Sequence, residues 1–94
     1  MVGIVESKRH EILELARRHG VTRVRVFGSM ARGDAGPQSD VDLLVDVGPD
    51  PSPWFPGGLV ADLEKLLGRR VQVITERALD ELLRDRVLRE AVSL

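Results

Sequence analysis

The sequence predicts an α+β domain, an α/β two-layer arrangement in which a short mixed sheet of about three strands packs against helices. Three observations carry this: 94 residues, enough for one core; three stretches whose apolar residues recur at helical spacing; and short β-branched runs between them. Residues 5 to 19 place Ile12, Leu15, Ala16 and His19 on one side of a helix, and Gly20 stands where it would stop. Arg23-Val24-Arg25-Val26-Phe27 alternates with period two and reads as a strand ending at Gly28. Residues 28 to 39, with three glycines and a proline, read as a loop with one helical turn at Met30-Ala31-Arg32. The second strand, 40 to 47, puts Val41, Leu43, Val45 and Val47 on one face and Asp40, Asp42, Leu44 and Asp46 on the other, so one face packs and the other carries acid. Four of the five prolines fall between Gly48 and Gly58, which makes that segment a connection. Leu59, Leu63, Leu66 and Leu67 then define a helix closed by Gly68, and residues 70 to 75 give a third strand. The segment from Arg77, with Leu79, Leu82, Leu83, Val87 and Leu88, is amphipathic helix that can break in two.

Composition excludes several classes of function. With no cysteine there are no disulfides, thiolate metal sites or cysteine nucleophiles, and a cytoplasmic setting is expected. No apolar run exceeds three residues, so no membrane span is expected. Fourteen basic against fifteen acidic residues and three aromatics argue against direct nucleic-acid binding. The cluster Arg17, Arg18, Arg23 and Arg25 reads as a solvated face, His10 and His19 as surface or cap residues, and Trp54-Phe55 as either a satellite core or an exposed anchor.

The chemistry is concentrated in Gly28-Ser29, ten further residues, then Asp40-Val41-Asp42. Carboxylates at i and i+2 of a strand point the same way, with Cα atoms about 6.5–7 Å apart, so both can reach one hard cation or a pair about 3.5–4 Å apart. A Gly-Ser pair after a strand lets backbone N–H groups and a hydroxyl approach a phosphate, and Arg32 can neutralise phosphate charge. Two acids on one face also repel, which a metal relieves.

The run GSMARGDAGPQSDVDLLV resembles the signature of the DNA-polymerase-β-like nucleotidyltransferase superfamily, and its size and the later LGRRVQVITERAL segment are similar to the minimal nucleotidyltransferase domains, antitoxin-type partners of HEPN proteins. The resemblance covers almost the whole chain and implies one domain over 1–94 with a polymerase-β palm-like fold. It implies that Gly28 and Ser29 hold the phosphates of ATP or another nucleoside triphosphate, that Asp40 and Asp42 are the catalytic ligands of Mg²⁺, that Arg32 contacts phosphate, and that Ser39 ties the loop to the strand. The implied reaction moves a nucleoside monophosphate, AMP from ATP, to a hydroxyl of a separate HEPN-domain toxin. The family's third carboxylate, from the next core strand, is Gln72 here, which carries no charge and cannot act as a base. Asp46 and Glu76 lie about 13 Å along their strands and do not substitute for it. The alternative is a weakened or inactive nucleotidyltransferase-fold protein that only binds such a partner. Modification of a small molecule would require an acceptor-holding domain that 94 residues do not provide.

Overall fold

The computed structural model describes residues 3–94. Its elements in chain order are α1 (Ile4–Ser7), α2 (Arg9–Arg18), β1 (Val21–Phe27), α3 (Ser29–Arg32), β2 (Val41–Val47), α4 (Gly57–Leu67), β3 (Val71–Thr75), a 3-10 turn (Glu76–Ala78), α5 (Glu81–Glu90) and β4 (Val92–Ser93). The expected first helix is thus split at Lys8, whose φ of −107° and ψ of 14° leave the helical region. The expected last helix is broken between the 3-10 turn and α5, which Asp80 caps by accepting a hydrogen bond from the Leu82 N–H.

The sheet has four strands in the order β3-β2-β1-β4. β1 runs antiparallel to β2 and β4, while β2 and β3 are parallel, joined through the proline-rich segment and α4. A parallel pair needs such a crossover, and α4 supplies it with Leu59, Leu63 and Leu67 facing inward. Those leucines meet Ile12 and Ala16 of α2, and Val24, Val26, Val41, Leu43, Val45, Val71 and Val73 from one face of the sheet. β4, at two residues, is too short for its sequence to carry a period.

The opposite face departs from the expected division into a packed and an acidic side. Phe27 and Leu44, the latter 0% exposed, pack there against Val87 of α5, forming a second, smaller core. Helices therefore lie on both faces, and the acids of β2 stand beside this core rather than on an open surface. Arg25 corrects the solvated-face reading in the same way. On β1 it points to this second face, is 8% exposed, and donates to Glu76 Oε1 at 2.8 Å and Asp46 Oδ1 at 3.4 Å. The Arg25 hydrogen bond holds the Glu76 carboxyl below its ordinary value. Arg17 and Arg18 remain on the surface, paired with Glu14. Trp54 and Phe55 separate: the indole is 81% exposed, whereas Phe55 packs against the main core.

His19 caps α2 and does more than cover a helix end. Its Nδ1 is hydrogen-bonded to Ser52 Oγ at 2.6 Å and its Nε2 to Asp62 Oδ2 at 2.8 Å, tying α2 to the proline-rich segment and α4. Replacing it by alanine removes both bonds and should lower stability by about 1–2 kcal/mol. In urea titration this gives a lower midpoint with an unchanged m value; an unchanged midpoint would show that the tie is idle.

Candidate active site

The site is built where β1 ends. Gly28 takes φ 74° and ψ −153°, a conformation open essentially to glycine alone, and turns the chain sharply into α3. A Cβ at Gly28 would overlap Asp42 Oδ2. The glycine is therefore required twice over, for the turn and for the close approach of that turn to the carboxylate. α3 closes at Gly33, whose N–H donates to the Ser29 carbonyl at 3.0 Å. The loop then returns through Gly36, whose N–H donates to Ser39 Oγ at 2.8 Å and whose carbonyl accepts from Arg69 Nη1 at 3.1 Å.

These contacts deliver Asp40 to the step just before β2 and Asp42 onto the strand opposite Phe27 of β1 and Gln72 of β3. Gly28, Ser29, Arg32, Ser39, Asp40 and Asp42 line one cleft of about 410 Å³. All six residues expected at the site meet there. Its far wall, formed by Leu83, Arg86, Val87 and Glu90 of α5, has no counterpart in the sequence reading. Glu90 stands 48 residues beyond Asp42 with no motif around it, and only the packing of Val87 on Phe27 and Leu44 carries it to the cleft. Gln72 does not line this cleft. It is exposed beside Asp42 in the parallel register and borders a neighbouring depression that shares Asp40. Asp46 and Glu76 are engaged with Arg25 and stay away, as their distance along the strands requires.

The electrostatics are those of crowded acids. Burial pushes the Asp42 carboxyl above its ordinary value; the charge of Asp40 adds to this, Arg32 opposes it, and Glu90 adds a little more. Hard oxygen donors under mutual repulsion suit a divalent cation such as Mg²⁺, and the donor set fits. Among the described residues no group of three or more acids or histidines could by itself hold a metal ion; Asp40 and Asp42 as a pair would leave positions for water and substrate oxygens. That sharing is usual for Mg²⁺. Arg32 is held firmly charged by hydrogen bonds from its guanidinium to Asp34 and Glu90.

A family model described as a nucleotidyltransferase domain matches residues 9–94. The chain belongs to this family. This nucleotidyltransferase-domain chain is 40% identical over 93 residues, 99% of each chain, to the "Putative protein adenylyltransferase MJ0435" of Methanocaldococcus jannaschii. It is 44% identical over 79 residues, 84% of this chain and 80% of the other, to the "Protein adenylyltransferase MntA" of Thermococcus cleftensis. Among solved structures it is similar to one described as a putative minimal nucleotidyltransferase, with 47% identity, a TM-score of 0.82, and coverage of 96% of this chain and 92% of that one. The antitoxin-toxin structure MntA-HepT shares the fold at a TM-score of 0.69 with 18% identity, over 94% of this chain and 69% of that one. The expected nucleotidyltransferase fold is met, with a fourth strand added at the sheet edge. No helix among the described residues is long and apolar enough to cross a membrane.

Proposed function

We propose that this chain transfers AMP from ATP to a hydroxyl of a partner protein, and that the partner is a HEPN-type toxin silenced by the modification. The observation that carries the reading is the meeting of the Gly28-Ser29 turn, Arg32, Asp40 and Asp42 in one cleft. Its support from kinship is that relatives at 40% and 44% identity bear the name protein adenylyltransferase. ATP as donor fits a cytoplasmic setting.

In this reading the Gly28 and Ser29 turn and the Arg32 guanidinium grip the β- and γ-phosphates and fix the α-phosphorus above the acidic strand. Asp40 and Asp42 would hold Mg²⁺, which when bound neutralises phosphate charge. The acceptor oxygen attacks the α-phosphorus, and a P–O bond forms as the bond to the bridging oxygen breaks. Pyrophosphate leaves with that electron pair, and the acceptor proton passes to solvent. Ser39 keeps the loop folded by accepting from Gly36 and so positions Asp40.

A second reading is favoured by one observation. Gln72 occupies the place beside Asp42 from which a third carboxylate would come. A chain so depleted could bind its partner without transferring. The experiment is to incubate the chain with the HEPN-type partner, α-labelled ATP and Mg²⁺. Label on the partner that vanishes with Asp40→Ala supports the enzyme; a stable complex that never becomes labelled, and is indifferent to Asp40→Ala, makes it a binding module. Gln72→Asp should raise the transfer rate about tenfold or more if the missing charge limits it. No gain would show that Gln72 is not the deficit.

A further inference from the structure

One carboxylate in the cleft already sits on the groups that a phosphate would use. The Gly28 N–H, which opens the turn read above as the phosphate cradle, donates to Glu90 Oε1 at 2.9 Å. Arg32 Nη1 reaches both Glu90 oxygens at 3.3 Å. The Glu90 side chain is 17% exposed, although as the last residue of α5 at the edge of an open cleft it could have turned to water. It is held on both sides in sequence: Val87 anchors α5 in the second core, and Val92–Ser93 pair with Arg25 and Val26 of β1. A carboxylate that accepts from a backbone N–H and an arginine is making the charge-assisted contacts of a phosphate oxygen.

We propose that Glu90 is an internal plug of the phosphate cradle, a carboxylate that a triphosphate must displace from Gly28 and Arg32 in order to bind, and which thereby sets the affinity for nucleotide. The inference rests on the cleft being the nucleotide site. Glu90 adds a third acid to a cleft that holds Asp40 and Asp42 against two arginines, Arg32 and Arg86, and with the side chain seated the balance is negative and Arg32 is already engaged, which disfavours an incoming polyphosphate until the side chain swings out. The tie at the end of the chain is slight, since β4 is two residues long and Val92 is 41% exposed. The exchange is reciprocal: when pyrophosphate leaves, the carboxylate returns to the same donors and competes against its rebinding. Apparent affinity falls by the fraction of time that the cradle is open, so a plug in place nine-tenths of the time weakens binding about tenfold.

The test measures binding without any acceptor, on the full chain with and without Mg²⁺, using tripolyphosphate and ATP as probes in titration calorimetry. Glu90→Ala removes the group and should tighten both probes about tenfold, whereas Glu90→Gln removes the charge but keeps an oxygen that can accept from the Gly28 N–H, and should tighten them by less. The thermal midpoint of each variant checks that the chain is folded, and in Glu90→Ala, which leaves no acceptor, the Gly28 amide resonance checks that the amide has been released. If the wild type binds both probes and folded variants bind no more tightly, or more weakly, the plug is overturned while the nucleotide site stands. If neither wild type nor folded variants bind either probe, the nucleotide site itself fails and the plug with it.

Discussion

Asp42→Asn should abolish most transfer and at the same time make the folded chain harder to melt. The carboxylate lies half-buried between Phe27 and Gln72, with Asp40 and Glu90 sharing its cleft, and its acid form is favoured in the folded state by burial first and by Asp40 second. A group whose folded-state value stands above 3.8 costs stability when ionised. The cost is complete above that raised value and gone below 3.8, where both folded and unfolded chains carry the proton. Solvent screens a half-exposed side chain, so relief is about 0.5 kcal/mol, a rise in melting temperature of about 2–4 °C near neutral pH. Melting curves recorded from neutral to acid pH should show this advantage shrinking as the wild-type carboxyl protonates. Millimolar Mg²⁺ should raise the melting temperature of the wild type more than that of the variant, because only the wild type has the full pair of carboxylates. Label transfer should fall by about 10²–10³-fold, the scale of losing one preorganised charge at a reacting phosphate. Undiminished transfer would remove Asp42 from the chemistry, and a lower melting temperature at neutral pH would show that the carboxylate is satisfied rather than strained.

The part of the site that was legible in the sequence is the part written in consecutive residues. Gly28-Ser29 and Asp40-Val41-Asp42 lie within fifteen residues, and an i, i+2 pair on a strand has its direction fixed by the pleat before any tertiary contact is known. The main core was equally readable, since Leu59, Leu63 and Leu67 and the valines of the strands announce their faces by period. What stayed hidden depends on where α5 docks. Its pattern says that one side is apolar but not which surface receives it, so neither the burial of Leu44 nor the arrival of Glu90 at Gly28 could be inferred. Arg25 is a related case: alternation places it opposite Val24 and Val26, but nothing local announces that Glu76, 51 residues later, will meet it and take it out of solvent. Charge at a strand face is thus a weak guide to exposure when a later helix can cover that face.

Gly28→Ala tests the site from the backbone side, and its effect should exceed that of a second loop glycine by a margin that the geometry defines. Gly28 and Gly33 both have positive φ, 74° and 81°, so alanine strains either one. A Cβ at Gly33 meets nothing within 4 Å, whereas a Cβ at Gly28 drives into the Asp42 carboxylate. Gly33 also lies in the left-handed region, at about 1–2 kcal/mol for a residue with a side chain, while ψ of −153° puts Gly28 where only glycine is at ease. Gly33→Ala should therefore lose about 1 kcal/mol and keep its transfer. Gly28→Ala should lose about 3 kcal/mol, which is a fall of roughly 12–24 °C in melting temperature for a chain of this size, and should transfer at least about 100-fold more slowly because both the Gly28-Ser29 turn and Asp42 have moved. The two causes separate in a double variant. With Asp42→Ala the collision has no partner, so adding Gly28→Ala should cost about 1–2 kcal/mol less than it does in the wild type, a coupling that residues out of contact would not show. Additive losses in that cycle, or equal losses at Gly28 and Gly33, would mean that the turn bears only on its own conformation and that the close approach of loop to carboxylate is not what holds this site together.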